Sequence, residues 1–258
     1  MVVVSSEAPL RWSASRDGVA AGQLRVLRRP DARCFLLLRD CAPQAYGPLL
    51  DATLDAMDQD LYVDVDETAG DLQGELARRG FVEKRREDYY LVPTDPTVTG
   101  LAGRSVPDGF RVISAVEADV DRLGELDDTL RQDVPGTAGW RSDPAELARQ
   151  TFGDPGFDPA TYLLAVDTAA DAYAGLVRIW AAASRPRLGL VGTVRAYRRR
   201  GLATALLARA FAVLHARGRP AVTCEVDRTN AASTPPVDRA RRSPYRGGVE
   251  LVRRHPPS

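Results

Sequence analysis

The sequence predicts an α+β (α/β) protein built as two units in tandem, and three observations carry that prediction. Apolar periods of two and of nearly four residues alternate along the whole chain, the pattern of interleaved strands and helices. The run from Pro93 to Pro107, rich in Pro, Gly, Thr and Ser, reads as a linker between two cores. Val63-Asp64-Val65-Asp66-Glu67-Thr68 is echoed 161 residues later by Cys224-Glu225-Val226-Asp227-Arg228-Thr229, in the same helix-then-strand context. The expected organisation is a first unit over 1–95, a linker over 96–107 and a second unit over 108–258.

In the first unit Leu24–Leu27 and Cys34–Leu38 read as strands joined by an Arg-Pro-Asp turn. Pro43–Met57 reads as a helix, because proline suits a first helical turn. The strand Leu61–Val65 follows, then a helix over Thr68–Arg79 stopped by Gly80, then two strands within Phe81–Val92.

The second unit opens with the strand Phe110–Ile113 and the helix Glu117–Leu130. The turn-rich stretch Asp133–Trp140 precedes a helix over Pro144–Phe152. Strands follow at Thr161–Val166, Tyr173–Ala182 and Leu188–Val194. Leu202, Leu206 and Ala210, with Ala203, Leu207 and Phe211, then repeat at helical spacing, so Gly201–Ala216 is a helix, and Ala221–Val226 is the strand after it.

Composition excludes several classes. Of the 258 residues 44% are hydrophobic, and 35 basic side chains balance 35 acidic ones, which is neither a disordered chain nor one with a membrane-length apolar run. Met1–Val4 leads into Ser-Ser-Glu-Ala-Pro without the basic start and long apolar region of a secretory signal, which gives a cytoplasmic expectation and no membrane partner. Cys34, Cys41 and Cys224 form no CxxC pair and only His215 and His255 could assist them, so no metal site is expected. The balanced charge is uneven: residues 195–258 hold 14 arginines against four acidic residues, net +10, leaving the rest at −10. Such a tail is suited to meeting an anion.

The chemistry concentrates in Leu190-Val-Gly-Thr193-Val194-Arg-Ala-Tyr-Arg198-Arg199-Arg200-Gly201-Leu202-Ala203-Thr204. A strand ends, an arginine-rich loop turns, and a helix begins on small residues. Free amides at a helix start, the positive end of its dipole and the lack of side-chain bulk make an anion site. The spacing is neither a P-loop, whose lysine is missing, nor a dinucleotide fingerprint, since the loop has one glycine. It resembles the pyrophosphate loop of the GNAT superfamily of acyl-CoA N-acyltransferases, Gln/Arg-x-x-Gly-x-Gly/Ala, matched by Arg198-x-x-Gly201-x-Ala203. The resemblance spans roughly Phe110–Asn230.

That resemblance implies a central mixed sheet flanked by helices, with acetyl-CoA as cosubstrate. Backbone amides of Arg199, Arg200, Gly201, Leu202, Ala203 and Thr204 would hold the CoA pyrophosphate, and Arg198 would shape the loop or pair with phosphate. Thr193 and Val194 would bind the pantetheine amides, and Asn230 would lie near the cofactor. The implied reaction is direct attack of a small-molecule primary amine on the thioester, in a monomer or homodimer. A carboxylate, often acting through water, suits deprotonation of the ammonium. Glu225, on the strand flanking the cleft, is the first candidate, and Asp133, in the loop between the first two helices, is the second. Residues 108–194 hold 14 acidic and eight basic residues, which suggests an acidic wall for a cationic amine, with Trp140 nearby as a packing residue or a cation contact.

Two departures stand out. After Asn230 the family's tyrosine-bearing helix is replaced by a stretch with three prolines, Val237 stands where the tyrosine is often found, and Tyr245 lies farther along. Codons for Val237–Arg246 read one nucleotide later can encode an apolar helix end, compatible with a compensated frameshift. The first unit lacks an Arg-x-x-Gly-x-Ala loop and looks like a degenerate half of the same fold. Two other readings are a non-catalytic acyl-CoA-binding protein and a nucleic-acid module using Arg195–Arg200 and Arg239–Arg246. Against the latter, neither a net-basic domain nor interleaved aromatics is present, so no nucleic-acid partner is expected.

Overall fold

The computed structural model describes residues 1–181, 185–230 and 244–255. The chain divides into two compact units, Met1–Glu87 with Arg246–Ser258, and Asp88–Tyr245.

The first unit begins with four antiparallel strands, β1 (Val2–Ala8), β2 (Arg11–Arg16), β3 (Val19–Arg28) and β4 (Cys34–Arg39). Helix α1 (Pro43–Asp55), with proline in its first turn, returns the chain to β5 (Leu61–Asp66), parallel to β4. Helix α2 (Gly70–Arg78) and β6 (Val82–Pro93) follow. The chain's last strand, β12 (Pro244–Arg253), lies between β5 and β6 and runs antiparallel to β5, with Val249 opposite Val65. Trp12, Leu24, Val26 and Leu36 from the strands meet Leu49 and Leu50 of α1 and Leu76 of α2 in one core. Both helices therefore cover the same face of the sheet.

Three features of this unit depart from the sequence expectations. β1 and β2 are strands although their apolar alternation is broken by serines, because they lie at the outer edge of the sheet where half their surface stays wet. β6 is one strand, not two. Lys84 and Arg85 in its charged stretch reach Glu250 of β12 at 3.1 and 2.8 Å, and that carboxylate is only 1% exposed. β12 joins the first unit, whereas the sequence assigned everything after residue 107 to the second.

The second unit contains α3 (Pro96–Thr99), β7 (Phe110–Ser114), α4 (Val120–Arg131), α5 (Pro144–Phe152), β8 (Tyr162–Asp167), β9 (Ala172–Trp180), β10 (Arg187–Thr193), α6 (Leu202–Ala216) and β11 (Ala221–Asp227). The expected linker is part of it. Asp95 caps α3 through the Thr97 amide at 2.8 Å, and Leu101 is buried with the α6 residues, so the Pro/Gly run encodes a capped turn rather than a tether.

Strands β7 to β10 pair antiparallel, and α6 is the crossover to β11, parallel to β10. Asp119 and Asp143 cap α4 and α5, accepting from the amides of Arg122 and Glu146 at 3.0 and 2.9 Å. Alternation along β8 sends Tyr162, Leu164 and Val166 to the side of α4 and α5, and Leu163 and Ala165 to the side of α6. β9 and β10 lie very close at Gly175: a Cβ there would stand 2.5 Å from the Gly192 carbonyl oxygen. Gly175→Ala should therefore cost about 1–3 kcal/mol in denaturant unfolding, since backbone must move to admit it.

The internal echo is also structural. Asp66 at the end of β5 accepts from the Thr68 amide and hydroxyl at 2.8 and 2.6 Å, and Asp227 at the end of β11 accepts from those of Thr229 at 2.7 and 2.5 Å. Each strand follows a helix and runs parallel to the strand before that helix.

Candidate active site

β10 and β11 frame the site. Among the described residues their ladder is the single pair Arg187–Thr223, supported by the Thr223 amide donating to the Pro186 carbonyl at 2.8 Å. Toward Thr193 and Asp227 no further pair joins them, so β10 keeps unpaired backbone groups along its β11 side. At the end of β10 the Val194 amide donates to the Ala174 carbonyl at 2.9 Å, a short 3₁₀ turn covers Arg195–Tyr197, and the chain enters α6.

The loop is built by backbone geometry. Arg199 (φ 64°) and Gly201 (φ 85°) both take the left-handed conformation, and Gly201 is the N-cap of α6 without any side-chain cap. The first helical hydrogen bond there runs from the Ala205 amide to the Gly201 carbonyl. The amides of Leu202, Ala203 and Thr204 thus lie in the first turn, where an α-helix has no internal acceptors.

The arginines have separate duties. Arg198 folds back, its Nε donating to the Thr193 carbonyl at 3.1 Å, and its guanidinium also meets Asp133. Arg195 donates to the other Asp133 oxygen at 2.6 Å. Arg200 lies over the Tyr197 ring, 5.4 Å from its centroid, and Tyr197 packs edge-on against Phe110. Asp133 therefore ties the loop to the end of α4. Hydrogen bonds from Arg195 and then Arg198 hold its carboxyl below the usual carboxylate range, which makes it a weak proton acceptor and better suited to bracing.

Glu225 lies on β11 and is gripped by Arg187 of β10, through Nε at 3.0 Å and a terminal nitrogen at 2.6 Å. Both carboxylates named from the sequence are thus placed around the second unit's strands and loop, each in an ion pair. The Asn230 amide donates to the Asp227 carbonyl at 2.9 Å, closing the turn after β11. Val237 and nearly all of the frameshift-compatible stretch lie outside the described residues. Tyr245 is 48% exposed and meets Tyr89 edge-on.

The acidic wall expected from composition is largely consumed within the unit. Asp127 is fully buried and accepts from Arg178 Nη1 at 2.9 Å and Arg131 Nε at 2.5 Å. Arg131 also stacks on Trp140, 4.0 Å from its ring, and the Trp140 indole donates to Ser142 at 2.9 Å. Asp128 accepts from the Ser142 amide at 3.0 Å; burial pushes its carboxyl up, with Asp127 adding to the effect. The buried group has two cations to one anion, and sequence reasoning missed it because its partners lie on α4 and β9. An arginine within the otherwise apolar run of β9 was the available signal.

Residues 126–235 match the sequence model of the Acetyltransferase (GNAT) family. The match lies in the second unit and takes in β10, the arginine-rich loop, α6 and β11. Its fold is that of a GCN5-related N-acetyltransferase from Sphaerobacter thermophilus, at TM-score 0.72 and 19% identity, covering 98% of this chain and 83% of that one. A tandem GNAT protein from the clavulanic acid biosynthesis pathway is similar at TM-score 0.65 and 16% identity, over 100% and 84% of the two chains. A GCN5-related N-acetyltransferase from Kribbella flavida gives TM-score 0.58 at 16% identity, over 96% and 88%. No curated protein matches the sequence. Among the described residues no helix is long and apolar enough to cross a membrane, and no three His, Cys, Asp or Glu residues group as metal ligands.

Proposed function

We propose that the GNAT domain transfers an acetyl group from acetyl-CoA to the primary amine of a small molecule, in the cytoplasm, as a monomer or homodimer. The observation that carries the reading is the juxtaposition of two parallel strands sharing one ladder pair with an uncapped, glycine-initiated helix after β10. Unpaired β10 backbone suits the pantetheine amides, with Thr193 and Val194 nearest the thioester. The first-turn amides suit the pyrophosphate. The amine nitrogen attacks the thioester carbonyl, a C–N bond forms as the C–S bond breaks, and the thiolate takes up a proton.

Glu225 is the proposed base, oriented by Arg187, while Asp133 positions Arg195 and Arg198. Glu225→Gln should lower kcat about 100-fold or more with unchanged acetyl-CoA affinity, read by CoA-thiol release across an amine panel. An unchanged rate would place the base elsewhere. The first unit is proposed as a degenerate GNAT-like half without a cofactor loop: β4 passes into α1 through Asp40-Cys41-Ala42, with no Arg-x-x-Gly-x-Ala.

The ion pairing of both Glu225 and Asp133 favours one second reading, an acyl-CoA-binding protein without turnover. Calorimetry with CoA and acetyl-CoA followed by the amine panel separates the two. Binding without thiol release selects the second, and absence of binding excludes both.

A further inference from the structure

The helix-free face of the first unit's sheet carries a cavity of 110 Å³ lined by Arg11, Gln23, Leu24, Arg25, Leu37 and Arg39. Arg11 lies directly opposite Arg25 on the neighbouring strand, and Arg39 opposite Gln23, so three guanidinium groups share one small patch. Like charges directly opposite each other destabilise a sheet unless a counter-charge sits between them. Among the described residues, none of the three has an ion-pair or hydrogen-bond partner for its guanidinium.

The second unit shows what such a position becomes when a counter-charge is built in. Arg11, Arg25 and Leu37 stand in register across β2, β3 and β4, as Tyr162, Arg178 and Leu190 do across β8, β9 and β10. Arg25 and Arg178 thus occupy equivalent positions, each on the face turned away from the helix that follows the third strand. In the second unit α4 covers that face, and Asp127 neutralises Arg178. In the first unit both described helices pack on the other face, no carboxylate among the described residues pairs with Arg25 as Asp127 does with Arg178, and two further arginines are present.

We propose that this cavity is an anion site that binds a phosphate group, with Arg11, Arg25 and Arg39 as its ligands. Arg11, Gln23, Arg25 and Arg39 are all exposed at the cavity, so an oxyanion can reach them from solvent. Guanidinium groups match phosphate oxygens with paired donors, and Gln23 adds a neutral one. The group could arrive as inorganic phosphate or on a small phosphate monoester, and both share this chemistry. The site is separate from the CoA loop, whose residues all belong to the second unit.

The test is calorimetric titration of the full chain with inorganic phosphate and, separately, glycerol 3-phosphate at low ionic strength. Saturable binding is expected for at least one of them, and which one binds identifies the source. Arg25→Glu with Arg39→Glu should weaken it about tenfold or more. Gly201→Trp, which obstructs the loop of the second unit, should leave it unchanged. Should the double reversal disturb folding by circular dichroism, Arg25→Gln alone should still weaken binding several-fold. The proposal is overturned if neither anion binds saturably, if the arginine variants retain full affinity, or if Gly201→Trp abolishes the signal.

Discussion

Asp127→Asn is expected to destabilise the second unit by about 3–5 kcal/mol, the largest stability loss of any single substitution considered. The carboxylate sits at 0% exposure between Arg178 and Arg131, whose side chains are 6% and 15% exposed. Its removal leaves two buried cations facing each other. For a unit of this size the loss corresponds to a fall of roughly 10 °C in the thermal midpoint. Replacing all three groups by apolar side chains of similar volume should restore most of it, because buried ion clusters offset their desolvation only when complete. A loss below about 1 kcal/mol for Asp127→Asn would mean that the arginines reach solvent and that the cluster is not a closed unit.

The same group sets a pH dependence. Burial acts to raise the Asp127 carboxyl, and Arg178 and then Arg131 outweigh it, so its folded value lies below the ordinary carboxylate range. A depressed carboxylate contributes stability that is fully present above its unfolded pKa, about 3.9, and is lost as pH falls through the folded value. The stability gap between the native protein and Asp127→Asn should therefore be constant near neutrality and narrow only in acid. Denaturant melts at pH 7, 5 and 3 measure it.

This cluster also marks where the sequence stops being legible. Arg198-x-x-Gly201-x-Ala203 could be read because a strand end, a turn and a helix start are contiguous, so local chemistry determines them. Helices α4, α5 and α6 were readable for the same reason. The pairing of Asp127 with Arg178 spans 51 residues and depends on α4 lying over β9, which no local pattern encodes. Asp127 and Asp133, within the stretch expected to form an acidic wall, are held in ion pairs, which net charge does not reveal. β12 was missed on similar grounds. Its partner β5 lies far away in sequence, and strand pairing at that range depends on register rather than on a local signal.

Gly201→Val is expected to abolish CoA binding, by about 100-fold or more, while the domain stays folded. At φ 85° and ψ 2° the residue is left-handed, which costs an L side chain about 1–2 kcal/mol. A Cβ there would meet only Pro107, at 4.0 Å, so packing tolerates it and the stability loss should stay near that conformational cost. Binding should not tolerate it. A side chain that keeps the turn adds bulk where a diphosphate must approach the backbone, and one that relaxes to negative φ turns the first amides of α6 away. Arg199→Gly separates backbone from charge, because it relieves strain at φ 64° while deleting a cation. If the amides do the holding, Arg199→Gly should weaken CoA only several-fold, with a steeper loss in low salt than in high, whereas Gly201→Val removes binding at any ionic strength. Calorimetry with CoA at two salt concentrations distinguishes them, and unchanged affinity in Gly201→Val would remove the pyrophosphate from this loop.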